Sequence, residues 1–210
     1  ITDGEFSFKA PSQPVRLFDT PPKFGGKVAE LGAHTSDWIS LKSHELRNKD
    51  ETSIKPSELP LNGLTIIDLG MGWAGPLAAR NLADLGATVI KVEGCVRFDW
   101  FRNWEASQEW IDDDGAEKAI NFIYVNRNKM DVTLDFEQQA GRELLLKLIG
   151  EADAVIENYS GGVLPKLKLE YESLKKVNPE LVMVSMPAFG STGPWSAFRA
   201  YGSTVEQAAG

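Results

Sequence analysis

The stretch that decides the fold runs from Leu64 to Glu93 and reads LTIIDLGMGWAGPLAARNLADLGATVIKVE. Leu64–Leu69 and Ala87–Val92 are short apolar runs rich in β-branched residues, which is typical of buried parallel strands. Between them, Pro76 suits the first position of a helix, and Gly86 suits the position just after its end. The stretch therefore predicts a strand–helix–strand unit. We expect the apolar face of its helix to consist of Leu77, Ala78, Leu82 and Leu85.

A glycine-rich turn joins the first predicted strand to the helix. Gly70, Gly72 and Gly75 have the spacing of a dinucleotide-binding turn, and Glu93 stands where an acid would bind the ribose. Such a turn places the partial positive charge of a helix N-terminus next to an anionic ligand. Trp73, however, would crowd a pyrophosphate. The turn alone leaves three possibilities open: a dinucleotide, another nucleotide-like ligand, or a tight turn without a ligand.

Composition and charge exclude several classes of function. The chain has 210 residues, of which 42% are hydrophobic, enough for the core of one ordinary domain. A net charge of −8 argues against general nucleic-acid binding. Cys95 is the only cysteine, so an internal disulfide framework is excluded and a cytoplasmic location is expected. His34 and His44 lack metal-ligand spacing, and no apolar run reaches the length of a membrane helix. We therefore expect no metal, no nucleic acid and no membrane as partners.

Strands and helices continue to alternate after Glu93. Apolar runs predict strands at Ala154–Glu157 and Leu181–Met186, and helices are predicted at Gln138–Gly150 and Tyr171–Val177. This alternation predicts an α/β fold, a Rossmann-like parallel sheet with helices on both faces. Ligands of such sheets bind beyond the carboxyl ends of the strands. Here those ends are the turns after Leu69, Glu93, Glu157 and Met186.

An aromatic, irregular stretch follows Glu93 and is too long for a simple connection. It is either a functional loop or a hydrophobic flap that covers the edge of the sheet. Its aromatic residues are Phe98, Trp100, Phe101, Trp104 and Trp110.

Six segments of the chain resemble the family III CoA-transferases, which include the formyl-CoA and crotonobetainyl-CoA:carnitine transferases. They read LNGLTIIDLGMGWAGP, LADLGATVIKVE, NRNKMDVTLDF, GRELLLKLIGEADAVIENYSGGVL, YESLKKVNPELVMVSMPAFGSTGP and AYGSTVEQAAG. They occur in the family's order and cover about residues 59–210. One such segment would carry little weight, but six in order are specific. The resemblance implies the family's fold in incomplete form, and it leaves an NAD- or FAD-binding oxidoreductase as a minor alternative.

The beginning of the chain resembles the far C-terminal end of the same family. APSQPVRLFDTPP is similar to the family's late proline-rich strand, and LGAHT is similar to its closing motif, with Ala33 in place of an acid. The resemblance implies a C-terminal tail of one transferase domain at residues 1–35 and a linker at 36–58. Residues 59–210 would then be the N-terminal part of a second domain. We therefore expect a tandem two-domain protein.

The resemblance implies a reaction that moves CoA from an acyl-CoA to a carboxylic acid. In this family an Asp carboxylate attacks the thioester and forms an aspartyl anhydride, followed by an aspartyl-CoA thioester. In the family that Asp lies about thirty residues after an AYD-type motif. Here the motif is Ala200-Tyr201-Gly202, so the nucleophile is expected after Gly210 and the chain alone is expected to be inactive. The acids that do not match are expected to be strand-end or surface residues: Asp68, Asp84, Asp99, Asp135 and Asp153.

The resemblance also implies which residues bind coenzyme A. The turn beside the pantetheine and thioester comprises Met71, Gly72, Trp73 and Ala74, where Trp73 replaces a common Gln. The adenine and ribose positions are Leu134, Asn158 and Tyr159. Lys166 and Arg199 match basic positions that pair with CoA phosphates. Gly94 and Glu137 stand where a basic residue often sits, and the NRNK segment, Asn126–Lys129, is expected to be structural.

Several related functions remain as alternatives. In α-methylacyl-CoA racemases of this family a His-Asp pair exchanges the proton, and Tyr201-Gly202 stands in its place, which argues against a racemase. A tandem lyase that acts on dimethylsulfoniopropionate would fit the inferred junction. An inactive half that only supports a fused partner is a further possibility. The expected partners are an acyl-CoA, a small carboxylic acid, and a second copy in a homodimer or an intrachain pseudo-dimer.

Overall fold

A computed structural model describes residues 2, 3, 6, 7, 17, 18, 33, 36, 59–94, 96–103 and 107–209. The chain divides into two compact units, Ile1–Ile54 and Lys55–Gly210. In the first unit Thr2–Asp3 pairs with Phe6–Ser7 in antiparallel orientation. The predicted linker lies almost wholly outside the described residues, as does most of the predicted tail. Cys95, His34, His44 and Trp104 also lie outside them.

The second unit is built on a five-stranded sheet in which all described neighbours pair in parallel. Its strands, in chain order, are β1 (Thr65–Asp68), β2 (Thr88–Glu93), β3 (Lys129–Thr133), β4 (Ala154–Glu157) and β5 (Val182–Ser185). Their order across the sheet is β3-β2-β1-β4-β5. The order reverses between β1 and β4, so the turns after these two strands meet at the carboxyl edge, the place where open parallel sheets bind ligands.

Helices connect the strands and cover both faces of the sheet, which confirms the predicted fold. Their bounds are α1 Ala74–Asp84, α2 Gln108–Asp112, α3 Gly115–Lys118, α4 Ile120–Asn126, α5 Gln139–Gly150, α6 Val163–Leu167, α7 Tyr171–Val177 and α8 Gly202–Ala209. A short 3-10 helix, Trp100–Asn103, lies in the irregular stretch after β2.

Side chains alternate between two cores, one on each face of the sheet. Ile66 belongs to the cluster against α1, while its neighbour Ile67 belongs to the larger cluster against α5 and α7. The larger cluster includes Leu145 of α5 and Leu174 of α7, both fully buried. Successive side chains of a strand point to opposite faces of the sheet, and both faces are covered here. Each buried strand therefore needs apolar residues at consecutive positions.

The inner face of α1 differs from the predicted one. Ala79 and Ala83 are buried against the sheet together with Gly75, whereas Leu85 is 45% exposed. Small residues on this face allow the helix backbone to approach β1 closely, so the larger leucines are displaced to its flanks. Leu77 and Leu82 pack at the margins of neighbouring clusters.

The two ends of α1 follow local rules. Its helical residues begin at Ala74, so Pro76 is the third residue rather than the first; proline is tolerated there because first-turn N–H groups have no helical partner. At the other end Gly86 has φ +105° and donates to Ala83 O, while Ala87 N–H donates to Leu82 O. These two bonds form a Schellman motif, which confirms the predicted stop at Gly86.

Candidate active-site edge of the sheet

The glycine turn after β1 is packed against the protein itself. A Cβ on Gly70 would lie 2.8 Å from Pro76 Cδ, and one on Gly75 would lie 3.0 Å from Asn158 Oδ1. Gly72 has φ +70°, and its missing side chain leaves the space that the Trp100 indole occupies. Internal packing therefore accounts for all three glycines, without a pyrophosphate.

Buried charges hold the backbone of this turn. Asp68 Oδ1 accepts a hydrogen bond from Gly70 N at 2.8 Å, and Lys91 Nζ donates to Gly70 O at 2.8 Å. Asp68 also pairs with Lys129 at 2.7 Å, and both of these side chains are at most 1% exposed. Burial lowers the pKa of Lys129, although the charge of Asp68 opposes that effect.

Asp99 joins the irregular stretch to the turn. Its Oδ1 accepts from Gly72 N at 2.9 Å, and its Oδ2 lies 3.1 Å from Lys91 Nζ. The Asp99 side chain is fully buried and lies 6 residues beyond the end of β2 at Glu93, so the expectation that it is a strand-end or surface acid was wrong. It lies 27 residues from Gly72 along the chain, a separation that local sequence patterns do not register.

Glu93 takes part in a cluster with Arg102 and Asp131. Arg102 Nη2 lies 2.7 Å from Glu93 Oε2 and 2.9 Å from Asp131 Oδ2, and its guanidinium stacks on the Phe122 ring at 3.5 Å. Glu93 Oε1 also accepts from Asp99 N at 2.8 Å. The carboxylate that a dinucleotide ribose would require is thus committed to internal contacts.

The two acids of this cluster have opposite pKa shifts. Burial raises the pKa of Asp131 to about 7, and the hydrogen bond and charge of Glu93 add to the effect, while Arg102 opposes it. Burial also acts to raise the pKa of Glu93, but hydrogen bonds with Arg102, Asp131 and the Asp99 N–H outweigh it and lower that pKa. The cluster therefore holds one proton more readily on Asp131 than on Glu93.

Asn158 connects the turn after β4 to the turn after β1. Its Oδ1 accepts from Met71 N at 2.8 Å, and its Nδ2 donates to Met71 O at 2.9 Å. Tyr159, the next residue, packs against the larger core, and burial raises its pKa well above the ordinary value. Asn158 thus satisfies both backbone groups of Met71 at the point where the strand order reverses.

Aromatic rings gather beside the glycine turn. Trp73 is 50% exposed, stacks on Tyr124 with ring centroids 5.8 Å apart, and meets the edge of Phe101 at 5.9 Å. Trp100 contacts Phe101 at 4.4 Å and Tyr201 at 5.8 Å. We call these five residues the aromatic patch.

A small cleft of about 160 Å³ lies at the same edge, between the turns after β4 and β5. Buried Glu157 lies in it; burial raises its pKa, although hydrogen bonds with Ser185 and the Tyr159 N–H oppose the effect. Other residues that line the cleft are Ser160, Leu164, Tyr171, Met183 and Ser185.

In the part of the chain that the structure describes, no group of His, Cys, Asp or Glu side chains is arranged to hold a metal ion. Among the same residues, no helix combines the length and the apolar character needed to cross a bilayer.

The comparisons with known proteins decide the family. The model of "CoA-transferase family III" matches residues 61–210. The chain belongs to this family. A succinate–glutarate CoA-transferase from Agrobacterium fabrum is 38% identical over 151 residues, which are 72% of this chain and 38% of that protein. An acetyl-CoA:oxalate CoA-transferase from Acetobacter aceti is 34% identical over 161 residues, 77% of this chain and 39% of that protein.

Solved structures agree with the family assignment. A CaiB/BaiF family protein from Brucella suis is 40% identical and superimposes with a TM-score of 0.60 over 69% of this chain and 37% of that one. The chain thus spans about two fifths of the length of these relatives. Neither the dinucleotide-dependent alternative nor the lyase finds support in these matches.

The nine residues that the family resemblance assigned to CoA all lie at or near the carboxyl edge of the sheet. Met71, Gly72, Trp73 and Ala74 follow β1, and Leu134 follows β3. Asn158 and Tyr159 follow β4, Lys166 lies exposed in α6, and Arg199 lies exposed in the loop after β5. The last loop approaches the turn after β4, where a Cβ on Gly161 would lie 3.3 Å from Ser196 O. Their contacts with CoA remain a prediction.

The family segment Asn126–Lys129 has the structural role expected of it. Asn126 Nδ2 donates to Phe122 O at 3.0 Å, and its Oδ1 accepts from Lys129 Nζ at 2.7 Å. Arg127 and Asn128 both bind Asp84 at the end of α1. Each member of the segment is thus occupied by an internal contact.

Proposed function

We propose that this chain forms the CoA-binding edge of an enzyme that transfers CoA between an acyl-CoA thioester and a small carboxylic acid. The observation that carries the proposal is the family match over residues 61–210, which includes the glycine turn at the point of strand-order reversal. The proposed route passes through an aspartyl anhydride and an aspartyl-CoA thioester, with the nucleophilic Asp beyond Gly210.

The start of α1 is the proposed place for the thioester carbonyl. The N–H groups of Gly70, Met71 and Gly72 are already bound to Asp68, Asn158 and Asp99. After Trp73 come the first-turn N–H groups of α1, at Ala74 and Gly75, which lie at the positive end of an 11-residue helix. They can stabilise negative charge that develops on a carbonyl oxygen.

Lys166 and Arg199 are the proposed partners of the CoA phosphates, because both are exposed cations in the segments that follow β4 and β5, Lys166 in helix α6 and Arg199 in the loop after β5. Leu134, Asn158 and Tyr159 are proposed to lie beside the adenosine. In this arrangement Asn158 acts chiefly by holding the backbone of Met71, since its side chain bonds both the N–H and the C=O of that residue.

The wider setting is also a proposal. It comprises a tandem protein with boundaries near residues 35 and 58, a homodimer or an intrachain pseudo-dimer, and a cytoplasmic location. The net charge of −8 argues against general nucleic-acid binding, so no nucleic-acid partner is proposed.

Binding of free CoA to the 210-residue chain, measured by calorimetry, tests the proposal. Lys166→Ala should weaken CoA affinity about tenfold and reduce its salt dependence, because one charge-assisted contact is lost. Lys176→Ala is the matched control, since Lys176 is also exposed but lies near the end of α7 that leads to the amino edge. Equal affinities for the wild type and both variants would remove Lys166 from the site, and absence of CoA binding would contradict the proposed function.

A further inference from the structure

The aromatic patch presents an apolar surface directly beside the proposed thioester position. Trp73 is the residue before the first helical residue of α1, and its indole is held between Phe101 and Tyr124. Half of its surface is nevertheless exposed, and Trp100 and Tyr201 are 38% and 69% exposed. Supported aromatic rings of this kind bind apolar groups with little loss of conformational freedom.

The cations that contact this turn are committed to buried acids. Lys91, which donates to Gly70 O, pairs with Asp99, and both side chains are at most 1% exposed. Lys129, which donates to Pro76 O, pairs with Asp68 in the same way. Both lysines already have a carboxylate partner and are shielded from the surface.

The cation behind Trp73 is also engaged. The guanidinium of Arg80 lies 4.8 Å from the centre of the Tyr124 ring, and it donates from Nη1 to Tyr124 O at 3.3 Å and from Nη2 to Asn81 Oδ1 at 2.8 Å. Arg80 therefore supports the patch from behind, and its side chain is only 11% exposed.

We propose that Trp73 selects an uncharged, apolar acyl group on the CoA thioester. This inference rests on the proposed function and specifies the substrate class of that site. A dicarboxylic acyl group carries a second carboxylate, which needs a cation when it leaves water. Succinate, glutarate and oxalate, which appear in the names of relatives given above, are acids of that type. The exposed rings beside this turn favour an alkyl or aryl chain instead.

Calorimetry on the 210-residue chain with three probes tests the inference: free CoA, hexanoyl-CoA and succinyl-CoA. Hexanoyl-CoA should bind about tenfold more tightly than CoA, because part of its alkyl chain leaves water. Succinyl-CoA should bind no more tightly than CoA. Trp73→Ala should abolish the hexanoyl advantage, expressed as the ratio of hexanoyl-CoA to CoA affinity within the same variant, whereas Trp73→Phe should keep most of that advantage.

Leu85→Ala is the matched control for surface truncation, because Leu85 is 45% exposed and lies at the opposite end of α1. It should leave all three affinities unchanged. Circular dichroism and thermal melting confirm folding of each variant, and Trp73→Gln, which also removes the aromatic ring, takes the place of Trp73→Ala if that variant does not fold.

The outcomes separate this inference from the proposed function. Tighter binding of succinyl-CoA than of hexanoyl-CoA would overturn the inference, as would a hexanoyl advantage that survives in folded Trp73→Ala. Loss of the hexanoyl advantage in Trp73→Phe as well as in Trp73→Ala would also overturn it. In those cases CoA binding itself would leave the proposed function standing. Failure of all three probes to bind would overturn both.

Discussion

At the scale of single residues, the glycine turn is held by side chains that are charged and buried. Asp68, Lys91, Asp99 and Lys129 form two ion pairs with at most 1% exposure, and each of these side chains also binds a polar group of the turn or its neighbours. Removing one member of such a pair leaves the other charged without a partner, which costs more than the pair contributes. Their arrangement therefore fixes the backbone of the turn.

Asp99→Ala should lower the free energy of unfolding by about 3–5 kcal/mol, because it leaves the buried Lys91 ammonium and the Gly72 N–H unpaired. Urea denaturation measures the loss. Asp113→Ala is the control: Asp113 pairs with Lys118 at 2.7 Å, but both side chains are more than half exposed. Little change is expected there. Similar losses in the two variants would contradict the role assigned to the buried pair.

Asp131 predicts a pH dependence of stability. Its pKa is about 7 in the folded chain against an ordinary value of 3.8, so the folded state binds the proton more tightly. The contribution of this group to stability therefore falls as pH rises from about 4 to about 7. Glu93 acts in the opposite sense, because its pKa is lower in the folded chain than the ordinary 4.5. Its contribution to stability is therefore complete above about pH 4.5 and is lost as the pH falls below that value.

Asp131→Asn imitates the protonated acid, because its amide can donate to Glu93 and accept from Arg102. Relative to the wild type, the variant should gain stability between about pH 5 and about pH 8, in the window where Asp131 loses its proton. Urea denaturation at both pH values measures this difference. An identical difference at the two values would show that Asp131 does not titrate in this window.

At the scale of elements, sequence patterns predict the ends of a helix or strand where residues close by in the chain determine them. β4 and α7 occupy the predicted residues, Ala154–Glu157 and Tyr171–Val177, because an apolar run and a following Asn178-Pro179 set them. The irregular stretch after β2 could not be derived in this way. Its place depends on Asp99 reaching Gly72 and on Trp100 filling the space beside that glycine.

The end of α1 offers a test of such a local cause. Gly63 and Gly86 both have positive φ, +93° and +105°, but a Cβ on Gly63 meets nothing within 4 Å. Gly63→Ala should therefore cost about 1–2 kcal/mol in free energy of unfolding, from backbone strain alone. Gly86→Ala should cost at least about 1 kcal/mol more, because its Cβ would overlap the Leu59 side chain.

Urea denaturation of the two alanine variants measures the comparison, with m-values checked for agreement. Measured in a Leu59→Gly background, Gly86→Ala should cost an amount closer to that of Gly63→Ala, since the overlapping atom, Leu59 Cβ, is then absent. Equal costs for Gly63→Ala and Gly86→Ala would show that the Leu59 contact has no effect.

At the scale of the whole molecule, the sheet and the family could be predicted from the sequence, but the contacts made by the glycine turn and by the charged residue after β2 could not. The alternation of apolar runs yields a parallel sheet, and six motifs in order identify the family. The sequence pattern of Gly70, Gly72, Gly75 and Glu93 fits a dinucleotide site equally well. Only the contacts made by Trp100, Asn158 and Arg102 show that these positions serve internal packing.

These contacts bear on catalysis by the chain. The reaction proposed requires a carboxylate that is free to attack a thioester. Four described carboxylates at this edge are already bound: Asp68 to Lys129, Asp99 to Lys91, Glu93 to Arg102, and Glu157 to the Tyr159 N–H. These contacts are consistent with the proposal, drawn from the family resemblance, that the nucleophile lies beyond Gly210.

The 210-residue chain should accordingly bind CoA but show no transfer of CoA from an acyl-CoA to a free acid. Mass spectrometry of the protein after incubation with acyl-CoA should likewise detect neither an acyl adduct nor a CoA adduct on a carboxylate. Binding of CoA by the same sample shows that the site is formed, so inactivity cannot be attributed to misfolding. Turnover, or an adduct on Asp68, Asp99, Glu93 or Glu157, would place the nucleophile within these residues and contradict the proposal.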